Sequence, residues 1–153
     1  MTLAQETSLS AERADAILGR HETGVLSLAQ ESDPYSIPVS YGYDPDSREF
    51  YLRLVSTPES EKRTYLASSP RARLVVYEEA DPVYRSVVAA GVLREVARDD
   101  LTVDHVVQYG EAKRPLFEIW GESRQDLDVQ LYTLVPEEIS ARRIEVDRAS
   151  EAD

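Results

Sequence analysis

The chain has 153 residues, with 29 acidic against 17 basic side chains and a formal charge of −12. That length suits one domain with a single core, and an apolar share of 42% excludes a disordered chain despite the charge. The acidity excludes recognition of a nucleic-acid backbone and attachment to an anionic membrane surface.

In chain order, Ser10 to Leu18 reads as a short helix. Ser10 caps it, Ala14, Ile17 and Leu18 form an apolar stripe, and Gly19 stops it. Val25 to Ala29 is an apolar run of strand length, ended by a polar turn from Gln30 to Pro34. Tyr35 to Tyr43 alternates strictly, with Tyr35, Ile37, Val39, Tyr41 and Tyr43 on one face. Pro38 cannot donate a ladder hydrogen bond, so it marks an edge, a bulge or a position facing something other than a strand. The turn Asp44 to Arg48 and the strand Glu49 to Val55 complete an antiparallel hairpin.

A helix is expected from Glu61 to Ser68, closed by Ser69-Pro70, and then a β-rich run from Ala72 to Glu78. After a bend at Asp81-Pro82, a long strand runs from Tyr84 to Ala97, with Gly91 marking a bulge or bend. Asp99 or Asp100 caps a further helix that ends at Gly110, and Pro115 to Trp120 reads equally as helix or loop. Leu127 to Val135 is a strand broken by Pro136, Ile139 to Val146 is a last strand, and the polar tail Asp147 to Asp153 is expected to be disordered. The result is one mainly β domain over residues 8–146: six antiparallel strands closing a barrel, with short helices as connectors.

Chemistry is bounded mostly by what is missing. Without cysteine there is no disulfide, thiolate nucleophile, cysteine zinc site or iron–sulfur cluster. His21 and His105 are too far apart in sequence for a metal-ligand spacing and read as surface residues. There is no G-x-S-x-G elbow, P-loop or G-x-G-x-x-G. Any redox or transfer chemistry therefore falls to a bound organic cofactor. No apolar run approaches the ~20 residues that span a bilayer, and the N-terminus lacks the pattern of a signal peptide, so a cytoplasmic protein is expected.

Four segments in order carry a resemblance. They are Gly24-Val25-Leu26-Ser27-Leu28, then Pro34 to Asp44, then Lys62 with Ser69-Pro70 after it, and then Tyr84-Arg85-Ser86-Val87-Val88 with Gly91. This set resembles the flavin-binding split barrel of the pyridoxamine 5′-phosphate oxidase superfamily, especially its small nitroimidazole-resistance-like members. The resemblance implies a homodimer with flavin mononucleotide (FMN) in a groove at the subunit interface, acting on a small-molecule substrate. It places Ile37, Pro38, Val39, Ser40 and Tyr41 along the isoalloxazine ring, with backbone groups meeting the ring's polar edge. Leu52 and Arg53 flank the cofactor, Lys62 holds its phosphate at a helix start, and Ser86 adds a polar contact. Alternating tyrosines at 35, 41 and 43 read first as core or dimer packing and second as a substrate wall.

Fifteen of the 17 basic residues are arginine, and only Lys62 and Lys113 are lysine. Acidic excess with little lysine is the composition of a salt-adapted, haloarchaeal-type protein, and a GC-rich genome gives the same arginine bias. Against that background Lys62 stands out. Glu61 departs from the resemblance, since the vitamin oxidases have arginine there and the nitroimidazole-resistance members often histidine. The C-terminal basic motif that grips the vitamin's phosphate is also missing from Ser140 to Glu145, so vitamin oxidation is not expected. Related barrels that use a deazaflavin or haem, and a non-catalytic flavin-binding protein, stand as alternatives.

Overall fold

The computed structural model describes residues 3–56, 65–66, 71–97, 99 and 128–147. Strand β1 (Leu3–Ser8) comes first, then helix α1 (Ala11–Arg20) and the strands β2 (Thr23–Gln30), β3 (Asp33–Ser40), β4 (Gly42–Asp44), β5 (Glu49–Ser56), β6 (Arg71–Ala80), β7 (Val83–Glu95) and β8 (Asp128–Asp147). The strands form one antiparallel sheet in the order β3-β2-β6-β7-β8-β5-β4, with β1 pairing β8 beside β5.

The mainly β, split-barrel expectation holds, but the described residues contain eight strands where six were expected. The seven strand segments expected along the chain become eight because the last two merge into β8 and two others are gained. β1 precedes the first predicted element and pairs with β8 from Leu3↔Asp147 to Ser8↔Arg142. The strand expected from Tyr35 to Tyr43 is interrupted at Tyr41, whose amide donates to the Glu22 carbonyl at 3.0 Å and bends the chain from β3 into β4.

Pro136 does not end a strand. β8 runs through it as one element, and the register shifts there, with Ala90↔Glu138 followed by Gly91↔Pro136. A Cβ on Gly91 would lie 2.1 Å from the Val135 carbonyl oxygen and 2.7 Å from Pro136 Cα. The missing side chain at Gly91 is therefore what lets β7 and β8 stay paired across the bulge, as the glycine's position predicts. Asp147, expected in the tail, is the last residue of β8.

Helix α1 starts as predicted, with Ser10 Oγ accepting from the Arg13 amide at 3.3 Å. It runs to Arg20, two residues beyond the expected stop, and buries Ala14, Ile17 and Leu18. These meet a core built from inward residues of the sheet, among them Leu26, Phe50, Leu52, Leu54, Leu74, Val76, Val87 and Leu134. Tyr65 and Leu66 are helical, inside the helix expected from Glu61 to Ser68. The rest of that helix, the helix expected after Asp100, and the segment Pro115 to Trp120 lie outside the described residues. Among the described residues, no helix is long and apolar enough to cross a membrane.

The sheet curls until its two ends approach. β3 ends the sheet on one side and β4 on the other, yet only Tyr41 separates them in sequence. β3 also packs against β5 without pairing with it. The split of the barrel lies between these strands.

Candidate functional site

β3 pairs with β2 along its whole length, from Thr23↔Ser40 to Gln30↔Asp33, and its other edge borders the split. The edge position explains Pro38, which would interrupt a ladder inside the sheet. Ile37 points inward and packs against the core, and Val39 is buried in it. Pro38 lies on the outer face and is exposed, and Ser40 is buried at the strand end opposite Thr23. Any contact from Val39 to a ligand in the split would therefore run through the backbone.

Tyr41 is committed to the fold. Its ring meets Phe50 edge-on with centroids 5.7 Å apart, and its hydroxyl donates to the Leu18 carbonyl at 2.7 Å. Leu18 is in the last turn of α1, where carbonyls lack helical partners. Burial, with Glu22 and Tyr43 adding to it, pushes the Tyr41 phenol far above its ordinary range. Tyr43 donates to Asp15 Oδ1 at 2.6 Å, and Arg48 Nη2 reaches the same oxygen at 3.2 Å. Burial and the Asp15 hydrogen bond push the Tyr43 phenol up to about 12. Tyr35 stacks on Tyr65 at 4.9 Å, and Tyr65 donates to Asp33 Oδ2 at 2.5 Å. All three alternating tyrosines pack in the core or against it.

On β5, Phe50, Leu52 and Leu54 face the core and are fully buried. Leu52 has no surface for a ligand, whereas Arg53 points to the opposite face and is half-buried. Ser86 on β7 is half-buried and pairs with Tyr77 and Arg142. It shares the outer face with Pro38 but lies three strands away, roughly 14 Å at the usual strand spacing. Lys62 and Glu61 lie outside the described residues.

The outer face has a register of its own. Pro38, Val25, Val75, Val88 and Ser140 stand directly opposite one another across five strands. Paired residues share a face, so the four apolar members form one row. Val25, Val75 and Val88 are each only half-buried, and the neighbouring Tyr77 is 61% exposed. The face therefore offers an apolar band beside the split. Among the described residues, no group of histidine, cysteine and carboxylate side chains could hold a metal ion.

A second constellation has no counterpart in the sequence reading. His21, expected at the surface, caps the C-terminus of α1 and meets Glu78 Oε2 at 2.6 Å. Arg20 Nη2 meets Glu78 Oε1 at 2.6 Å, and Arg85 Nη1 lies 3.6 Å from the same oxygen. The Arg20 hydrogen bond is the main reason the Glu78 carboxyl is held below its ordinary value, with His21 adding to it against the opposing effect of burial. Nothing local in the sequence signals this cluster, because Glu78 comes from a distant strand.

The family model described as pyridoxamine 5′-phosphate oxidase matches residues 10–143. No curated protein matches the chain. Among solved structures, the chain is similar to an FAD-binding protein from Mesorhizobium loti, with 23% identity, a TM-score of 0.69, and coverage of 95% of this chain and 99% of that one. It is also similar to a candidate 5-nitroimidazole antibiotic resistance protein from Bacteroides thetaiotaomicron, with 12% identity, a TM-score of 0.67, and coverage of 95% and 93%. A haem-binding protein from Mycobacterium smegmatis aligns at 21% identity with a TM-score of 0.61, covering 84% of this chain and 52% of that one. At these identities the likeness is one of fold.

Proposed function

Because the chain belongs to the pyridoxamine 5′-phosphate oxidase family, we propose that it binds FMN in a groove shared by the two subunits of a cytoplasmic homodimer, as a flavin-dependent oxidoreductase. The observation that carries this reading is the half-exposed apolar row Pro38–Val25–Val75–Val88 beside the split. A second copy laid on that row would bury it and would roof the free edge of β3.

The residues present fit a flavin. β3 offers backbone amides and carbonyls along an edge that pairs with no strand among the described residues, which suits the alternating donors and acceptors of an isoalloxazine edge. Arg53 supplies a half-buried cation on the strand that packs against β3, and Lys62 is the further candidate for the phosphate. When bound, the flavin supplies the redox chemistry, accepting and passing on a hydride or electrons. The protein's part is then to place the ring, to keep water from one face by dimer packing, and to balance the phosphate charge. No side chain on β3 or β5 needs to be a strong acid or base for that role.

The absorbance spectrum of the purified protein, before and after added FMN, tests the reading. A flavin spectrum with saturable uptake supports it, and a colourless protein that takes up no flavin overturns it. Bleaching by NAD(P)H without oxygen then separates an oxidoreductase from a passive flavin carrier. The fold shared with a haem-binding protein keeps one second reading in view, and a Soret band in the same spectrum would select it.

A further inference from the structure

The cluster around Glu78 borders a cleft of about 750 Å³ between α1 and the ends of β6 and β7. Leu9, Ala16 and Ile17 give it an apolar floor, and Arg13, Arg20, His21 and Arg85 line it with cations or potential cations. The carboxylates facing it are Glu78, already engaged by Arg20 and His21, and the exposed Glu79. Three guanidiniums and an imidazole against two carboxylates leave the cleft positive, in a chain whose formal charge is −12. The Arg13 side chain makes no ion pair among the described residues, and it also borders an adjoining cleft of about 470 Å³ with Ser8, Ser10 and Arg143. Basic groups are scarce here, and their gathering around one concave space is not what a merely solvated surface requires.

We propose that this cleft is a binding site for a small organic anion, whose carboxylate or phosphate group is held by Arg13 and Arg85 while its apolar body rests on Leu9 and Ala16. Glu78 is the positioning residue. It fixes Arg20 and His21 at one wall and draws Arg85 inward, so one of the two anion-holding guanidiniums is ordered before a ligand arrives, which lowers the entropy cost of binding. Arginine's planar fork suits both oxyanion head groups. Glu78 lies in the inward register of β6 with Leu74 and Val76, so the cleft opens on the side of the sheet opposite the Val75–Val88 row. Occupancy of the two sites is therefore read independently.

Titration of the full-length protein with inorganic phosphate and, separately, with benzoate at constant ionic strength tests the site. The His21 ring protons report binding by NMR, distinguished from those of His105 in a His105→Gln variant. A saturable His21 shift with either anion, weakened about tenfold in Arg13→Gln/Arg85→Gln, is the expected result. Arg13→Gln alone, at an exposed helix position, should weaken binding severalfold and serves if the double variant folds poorly. Non-saturating shifts with both anions, or unchanged affinity in the arginine variants, overturn the proposal.

Discussion

Tyr41 reaches from the β3–β4 junction to the Leu18 carbonyl, 2.7 Å away, and so closes the last turn of α1 from the sheet. The same residue's amide holds the Glu22 carbonyl. One residue thus ties the helix end, the start of β2 and the border of the split together. Removing the hydroxyl leaves a buried carbonyl with one lost partner. Tyr41→Phe should destabilise the fold by about 1–3 kcal/mol, read as a lower urea midpoint at an unchanged slope. A midpoint equal to that of the parent would mean that water takes the hydroxyl's place.

Gly91→Ala should cost more, roughly 3 kcal/mol or beyond. The added Cβ would fall 2.1 Å from a backbone oxygen and 2.7 Å from Pro136 Cα, and neither belongs to a side chain that can swing away. The β7–β8 ladder must open at the bulge or shift its register. Thermal unfolding of the variant, if it can be purified, gives the comparison; a melting point within a degree or two of the parent would show that the bulge relaxes freely.

Gly91 and Pro136 also show how far the sequence could be read. Gly91 signals a bulge or bend and Pro136 a strand break, each within its own segment. They are one place, because the two residues face each other across β7 and β8. The glycine's missing side chain accommodates the proline's strand, so the break becomes a bulge in a continuous β8. Features set by local chemistry were legible: the Ser10 cap, the Ala14–Ile17–Leu18 stripe and the Asp44–Arg48 turn, with the edge as one of three readings of Pro38. In that turn Asp44 Oδ1 accepts from the Asp46 amide, and Arg48 takes a φ of 58°. β1 was not legible, because Leu3 to Ser8 has no clear apolar alternation and owes its strand form to pairing with β8. The Glu78 cluster was hidden for the same reason, since its partners come from α1 and β7.

Glu78 should give the stability a dependence on acid. Its folded pKa is lowered from the ordinary 4.5, chiefly by the Arg20 hydrogen bond. A depressed carboxyl contributes stability that is fully present above the unfolded value and is lost as pH falls through the folded one. The parent should therefore lose stability below about pH 4.5 more steeply than Glu78→Gln. Parallel urea midpoints between pH 3 and pH 6 check this, and identical slopes would show that other carboxylates carry the acid response.

Lys62 and Arg53 are the two cations proposed for the flavin phosphate. Loss of a charge-assisted contact costs about 1.5–3 kcal/mol, so Lys62→Ala should weaken FMN binding by roughly ten- to a hundredfold. Arg53→Gln should act in the same direction if β5 flanks the cofactor. Fluorescence quenching of FMN on titration measures both. Riboflavin, which lacks the phosphate, supplies the control: its affinity should change little in either variant. Equal losses for FMN and riboflavin would place both residues at the ring or in the fold instead.

The last test concerns the apolar row. Val88 stands at the centre of the sheet, paired with Val75 on one side and Ser140 on the other, and its side chain leaves the core for the outer face. Val87 and Ala89, its neighbours along β7, are the ones buried inside. A charge at 88 therefore leaves the protomer's own core intact while placing an unpaired carboxylate in any interface that covers the row, where desolvation is costly. Val88→Asp should convert a dimer to monomers by light scattering at micromolar concentration, with an unchanged far-ultraviolet circular dichroism spectrum. It should also reduce FMN uptake, because in the proposed dimer the second subunit completes the groove. A parent that is monomeric, or a variant that stays dimeric and still takes up flavin, would move the interface off this face and leave the split of the barrel to bind its ligand within one chain.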